Sequence, residues 1–314
     1  MKTKYLLFIY FAVITTINVL AYIYERSESV EPLHNYIQQI DPPVDPVEVK
    51  PNITTEIPIG ELSLDQINST LDQWHKEAPA ITEVGIVGVD HTNKPIKYIR
   101  IGKKNGPKVL IMAAIHGNEK LCAMTSLGVF NEILKNYMTD ESVTALLQTR
   151  DIYYIPIICP EGYVKNSRHV LNLDPNRNFN GPNLKDKKSI PEIQALKDFY
   201  EIHQFKAVMS CHNFGRVVFY PWGYTTKKTP LESQYRTLLE KMKTTSGYGY
   251  VQLYRQSAPP YHGYEVDYFF NKGALSIVNE IGRNFKAEKE EISTEVKNNY
   301  KSFLTFIEEA PLIR

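Results

Sequence analysis

The chain predicts an α/β fold, a sheet carrying helices on both faces, and three observations point there. The runs Val109–Ile115 and Ile152–Ile158 are nearly all apolar, as strands covered on both sides must be. Segments with helical spacing of apolar residues alternate with such runs, which is the pattern of layered α/β proteins. Finally, His116, His212 and Glu280 each stand just past an apolar run, and in open α/β sheets ligands gather at the carboxyl ends of the strands.

In chain order, Leu62 to Trp74 has helical spacing of apolar residues. Ile81–Val89 reads as a strand, Asp90-His91-Thr92-Asn93 as a turn, and Ile96–Ile101 as the partner strand. Strand Val109–Ile115 leads into the amphipathic stretch Leu121–Leu134, and strand Ile152–Ile158 follows. Helix Pro191–Phe205 precedes strand Ala207–Ser210, and Tyr235–Thr244 reads as helix. Leu275–Asn279 is the last predicted strand and Val296–Glu309 the final helix.

Ahead of this domain, Lys2 and Lys4 precede Tyr5–Tyr24, 20 residues without a charge. Such a run is long enough to span a bilayer as a helix, and its positive flank should stay inside. Val19-Leu20-Ala21 also resembles a signal-peptide cleavage site. Either route exports the rest. The expected organisation is a transmembrane signal-anchor or signal peptide over 1–24, an extracytoplasmic tether over 25–61, and a catalytic domain over 62–314. The domain would face the periplasm or cell surface, and would be secreted if residues 1–21 are cleaved. The tether reading rests on Pro32, Pro42, Pro43, Pro46, Pro51 and Pro58, which favour extended chain.

Lys plus Arg number 36 and Asp plus Glu 35, so no basic excess argues for a nucleic-acid partner. The 21 tyrosines fit a sugar or peptide cleft, or ordinary cores and loops. Of the three cysteines, Cys122, Cys159 and Cys211, an odd number cannot all pair within the chain, and each reads as a small buried hydrophobe. Cys211 adjoins His212, but strand alternation points it the other way.

In His116-Gly117-Asn118-Glu119 both end side chains can reach one ion if the chain bends off the strand into a helix, and Gly117 tolerates a tight turn. With His212 they make a His/Glu/His set suited to one catalytic zinc with a position left for water. Two imidazoles favour zinc over magnesium. A further glutamate near that water would make a hydrolase. His75, His91, His169, His203 and His262 have no comparable partner spacing, though His262 lies near a candidate substrate loop.

The landmarks HGNE at 116–119, PEGY at 160–163, NRNF at 176–179, SCHNFGRVVFYPWG at 210–223 and NEIG at 279–282 resemble, in order, those of the zinc carboxypeptidase family. The resemblance runs from about Leu62 to Phe306. It implies a three-layer α/β/α fold with a central mixed, mostly parallel sheet. It implies that His116, Glu119 and His212 bind one Zn(2+) and that Glu280 is the catalytic glutamate. Arg168 would steady the developing oxyanion. Asn176 and Arg177 would grip the substrate's terminal carboxylate, for which an arginine fork is suited. Tyr254 matches the family's mobile tyrosine, with Tyr261 and Tyr264 as rivals. Val266 matches the base of the side-chain pocket, with Glu265 beside it, and Asp267 looks structural. Pro175 departs from the family's usual leucine and disfavours helix at Asp174.

The implied activity is removal of a C-terminal residue from a peptide, with a cell-wall (murein) peptide as one substrate class. The HGNE and Asp-x-Asn-Arg patterns also resemble the aspartoacylase and succinylglutamate desuccinylase branch, which acts on N-acyl amino acids. A zinc-bearing binding module without turnover is a third reading, and Glu280 argues against it.

Overall fold

The computed structural model describes residues 53–181, 189–255 and 262–313. The candidate anchor lies outside them. Among the described residues no helix is long and apolar enough to cross a membrane. The elements, in order, are α1 (Leu64–Glu77), β1 (Thr82–Val89), β2 (Pro95–Gly102), β3 (Lys108–Ala113), α2 (Lys120–Asn136), α3 (Glu141–Leu147), β4 (Asp151–Ile155), α4 (Pro160–Val164), α5 (Pro191–His203), β5 (Ala207–His212), β6 (Val217–Tyr220), α6 (Glu232–Ser246), β7 (Gly249–Gln252), α7 (Glu265–Asn271), β8 (Leu275–Glu280) and α8 (Lys289–Glu309).

The strands form one eight-stranded sheet in the order β1-β2-β4-β3-β5-β8-β6-β7. The centre is parallel: β3 pairs with β4 and β5, and β5 with β8. Antiparallel pairs β1–β2, β2–β4 and β6–β8 flank it, and β6–β7 is again parallel. Side chains alternate across a strand, so β3 feeds two cores. Val109, Ile111 and Ala113 pack with residues of α1, α2, α6 and α8. Leu110 and Met112 pack with residues of α5 and α7.

Two central strands end earlier than their apolar runs suggest, while β5 and β8 run past theirs to His212 and Glu280. β3 stops at Ala113 and β4 at Ile155. Ala114 turns out of the sheet at φ 50°, and the amides of Ile158 and Cys159 bond the carbonyls of Ala113 and Ala114. Ile115 and Ile158 stay buried in the core shared with α5 and α7, and Ile157 in the opposite core. The short elements β6, β7, α3, α4 and α7 have no counterpart in the sequence reading.

Part of the expected tether is described. Thr54 and Thr55 donate to the Glu77 carboxylate, Glu56 pairs with Lys135 at 2.9 Å, and Ile53 and Ile57 pack on the core. Residues 53–61 therefore lie along the domain. A capping box between Ser63 and Gln66 then starts α1. The three cysteines are free and buried, and many tyrosines, among them Tyr154, Tyr163, Tyr200, Tyr235 and Tyr248, fill cores.

Candidate metal and catalytic site

Three strand ends deliver the key side chains. The turn after β3 presents His116 and, at the N-terminus of α2, Glu119. β5 ends on His212 and β8 on Glu280, and the ladder pairs these two residues directly. Register partners on adjacent strands project to the same face, so Glu280 stands beside His212. Gly117 is needed for space rather than torsion. A Cβ there would lie 1.9 Å from the carbonyl carbon of Gly162, where the HGNE and PEGY segments cross. Gly117→Ala should cost about 1–3 kcal/mol as an overpacked site, lowering Tm by several degrees in a thermal melt and displacing His116 and Glu119.

His116 Nδ1 lies 2.7 Å from Glu119 Oε1, and His212 Nδ1 lies 2.9 Å from Glu119 Oε2. One ligand atom from each residue lies within 4.8 Å of the others, and all three side chains are buried. Burial alone would raise the Glu119 carboxyl, but the facing His212 and His116 outweigh it and hold it at about 2. Burial disfavours a charged His212, yet Glu119 and Glu265 hold its pKa well above the ordinary value. Burial pushes Glu280 up to about 7, with His212 opposing and Glu119 adding to the rise. Two imidazole Nδ1 atoms aimed at one carboxylate are a donor set that fits zinc.

Behind each histidine stands a carboxylate to which the sequence reading assigned no such role. Asp174 Oδ1 lies 2.9 Å from His116 Nε2, and Glu265 Oε1 lies 2.8 Å from His212 Nε2. The other Asp174 oxygen accepts from Arg168 Nη2 at 2.9 Å, so one carboxylate ties the arginine to the histidine. Arg168 Nη1 reaches Glu119 Oε1 at 3.4 Å. His116 and Arg168 hold Asp174 well below the usual carboxylate range although burial acts to raise it. The Asp174 signal was present in the motif, two residues before Asn-Arg. Glu265 carried none beyond its neighbour Val266. Asn213, next to His212, also serves the site, since its Oδ1 accepts from the Cys122 amide and its own amide lies 3.3 Å from Glu119 Oε2.

Pro175 is accommodated. Asp174 is extended at ψ 116°, and Pro175 opens a single 3-10 turn, Pro175–Arg177, capped by the Asp174 side chain. The Arg177 guanidinium lies over the Tyr264 ring, 3.9 Å from its centroid. Tyr264 is buried beneath it. Tyr254 sits half-buried in the 3-10 turn Leu253–Arg255, its amide bonded to the Trp222 carbonyl. Tyr261 lies outside the described residues. Val266 is buried among Phe219, Leu253, Tyr264 and Val278.

Asp267 accepts from the Gly223 amide through both oxygens, at 2.9 and 3.1 Å. Burial nevertheless pushes its carboxyl up to about 7, against the pull of that amide. A raised folded-state pKa means that folding favours the protonated form. Its contribution to stability is therefore complete below about pH 4 and is lost as pH rises through about 7. Asp267→Asn should remove this decline, so the variant gains in Tm relative to wild type between pH 4 and pH 7. Parallel melts across that range check it.

A second group, Asp90, His91 and Glu192, also brings ligand atoms within 4.8 Å. His91 Nδ1 lies 2.6 Å from Glu192 Oε1. The Asp90 oxygens are taken by the amides of Thr92, Lys94 and Glu161, so this group locks the β1–β2 turn to α5 and α4.

Comparison with known proteins agrees with this geometry. Carboxypeptidase A4 of Mus musculus is 26% identical over 249 residues, 67% of this chain and 59% of that protein. Carboxypeptidase A2 of Mus musculus is 25% identical over 198 residues, 53% of this chain and 48% of that protein. The chain spans about half the length of the curated relatives it matches. Among solved structures, carboxypeptidase A from Helicoverpa armigera superposes with a TM-score of 0.70 at 18% identity, covering 80% of this chain and 74% of the other. A metallo-carboxypeptidase from Burkholderia cenocepacia gives 0.63 at 16% identity, covering 78% and 69%. The profile described as "Zinc carboxypeptidase" matches residues 67–302. That is most of the chain, and this protein belongs to the zinc carboxypeptidase family.

Proposed function

We propose that the protein is a zinc-dependent carboxypeptidase that removes the C-terminal residue of a peptide. The observation that carries this reading is the convergence of His116 Nδ1 and His212 Nδ1 on Glu119, with Glu280 the register partner of His212. His116, Glu119 and His212 would hold one zinc ion, which when bound polarises a carbonyl and acidifies water. Glu280 takes the proton of the attacking water and passes it to the leaving nitrogen. A carboxyl with its pKa near 7 suits both halves of that transfer. Arg168, held by Asp174, faces the developing oxyanion. Asn176 and Arg177 hold the terminal carboxylate, and Tyr254 closes over the substrate.

An apolar terminal residue is the favoured substrate. Asp267 is engaged with the Gly223 amide, one oxygen of Glu265 is engaged with His212, and Val266 presents an apolar surround. The charge-free run Tyr5–Tyr24 supports an exported, tethered enzyme, which would meet cell-wall peptides as well as free ones. The test is mass spectrometry of products from a peptide pool, from muropeptides and from N-acyl amino acids, with and without a zinc chelator. Chelator-sensitive loss of single C-terminal Leu, Phe or similar residues is expected. Cleavage of the acyl-amino acids alone would move the protein to the desuccinylase-like reading, and no turnover in any arm would sink the enzyme.

A further inference from the structure

We propose that Glu265 is a positioning residue. Its buried carboxylate fixes His212 so that Nδ1 faces the metal, and the segment carrying it joins the metal ligands to the groups that grip the terminal carboxylate. This rests on the zinc reading above. Glu265 Oε1 lies 2.8 Å from His212 Nε2, and the two side chains are 1% and 3% exposed, so water cannot substitute for either partner. An ionised carboxylate only accepts hydrogen bonds, and a neutral imidazole has one donor and one acceptor nitrogen. Each His212 nitrogen faces a carboxylate, Nε2 that of Glu265 and Nδ1 that of Glu119, 2.9 Å away. Once Nδ1 gives its lone pair to zinc, the remaining proton is on Nε2, where Glu265 holds it. Asp174 does the same for His116. Both histidines are thus clamped from behind by a carboxylate, an arrangement that sets tautomer and raises ligand basicity.

The neighbours of Glu265 extend the clamp. Its amide donates to Asn176 Oδ1 at 3.0 Å, turning the Asn176 amide nitrogen the other way. Tyr264 lies under Arg177. Gly263 accepts from the Phe179 amide at 3.2 Å. A Cβ on Gly263 would stand 2.5 Å from the Arg177 carbonyl oxygen, and its φ of +90° itself favours glycine. Three consecutive residues therefore brace Arg177, Asn176 and His212.

Two measurements test the proposal. In zinc-loaded wild type with 15N-labelled histidine, the His212 signal should show a metal-bound Nδ1 and a protonated, exchange-protected Nε2. Metal on Nε2 would overturn it. In chelator competition, Glu265→Ala should bind zinc roughly 10- to 100-fold more weakly than wild type. Glu265→Gln, which keeps an acceptor oxygen, should recover part of that loss. Glu265→Ala that holds zinc as tightly as wild type overturns the role of Glu265 alone. Wild type that takes up no zinc overturns the metal reading and this proposal together. If the alanine variant does not fold, the wild-type tautomer still decides.

Discussion

Glu280→Gln should retain zinc and lose about 10²- to 10⁴-fold in kcat, the usual worth of a positioned general acid–base. The substitution keeps the size of the side chain and its place at the end of β8, opposite His212. What it removes is the ability to accept a proton from water and return it to nitrogen. The measurement is steady-state turnover of an apolar-ended peptide, with metal content determined on the same sample. Turnover within a few-fold of wild type, zinc being present, would mean that the proton travels another way.

Arg177→Ala should have an effect of similar size on a different parameter. Truncating one partner of a desolvated charge pair typically costs about 2–5 kcal/mol, which is on the order of 30- to 4,000-fold in kcat/KM. The loss should fall on peptides with a free C-terminal carboxylate, because the fork of an arginine matches that group. The wild type should ignore the amidated form of the same peptide. The variant should lose most of the discrimination between acid and amide, and equal discrimination in the two proteins would place the carboxylate elsewhere. Arg177 also covers the Tyr264 ring, so a thermal melt of the variant should accompany the kinetics.

The centre of the fold was legible because β3 and β4 are buried on both faces and read as nearly unbroken apolar runs, and β5 and β8, buried likewise, carry one serine each before their polar ends. Their ends were harder to place. Ile115 and Ile157 are as apolar as strand residues, and only the turn at Ala114 shows that they lie in buried connections. β6 and β7, each of four residues, are too short to show a period. His116, Glu119, His212 and Glu280 were legible because ordered motifs carry them. The glycine of HGNE was given a torsional reason, and its steric one is visible only where Gly162 comes against it. Glu265 is legible only as the neighbour of Val266, because His212, the partner it holds, is 53 positions away in the chain. The expectation that Tyr254 closes on substrate rests on motif position alone, and Tyr264 lies beneath Arg177.

The pair of outer carboxylates has an electrostatic consequence. Counted fully ionised, Glu119, Asp174, Glu265 and Glu280 set four negative charges against the two guanidinium groups of Arg168 and Arg177. The surplus of two matches a single dication, or protons on His212 and Glu280, whose pKa values are both raised. Metal and protons therefore compete for this centre, while the imidazoles favour a softer ion than an all-oxygen shell would.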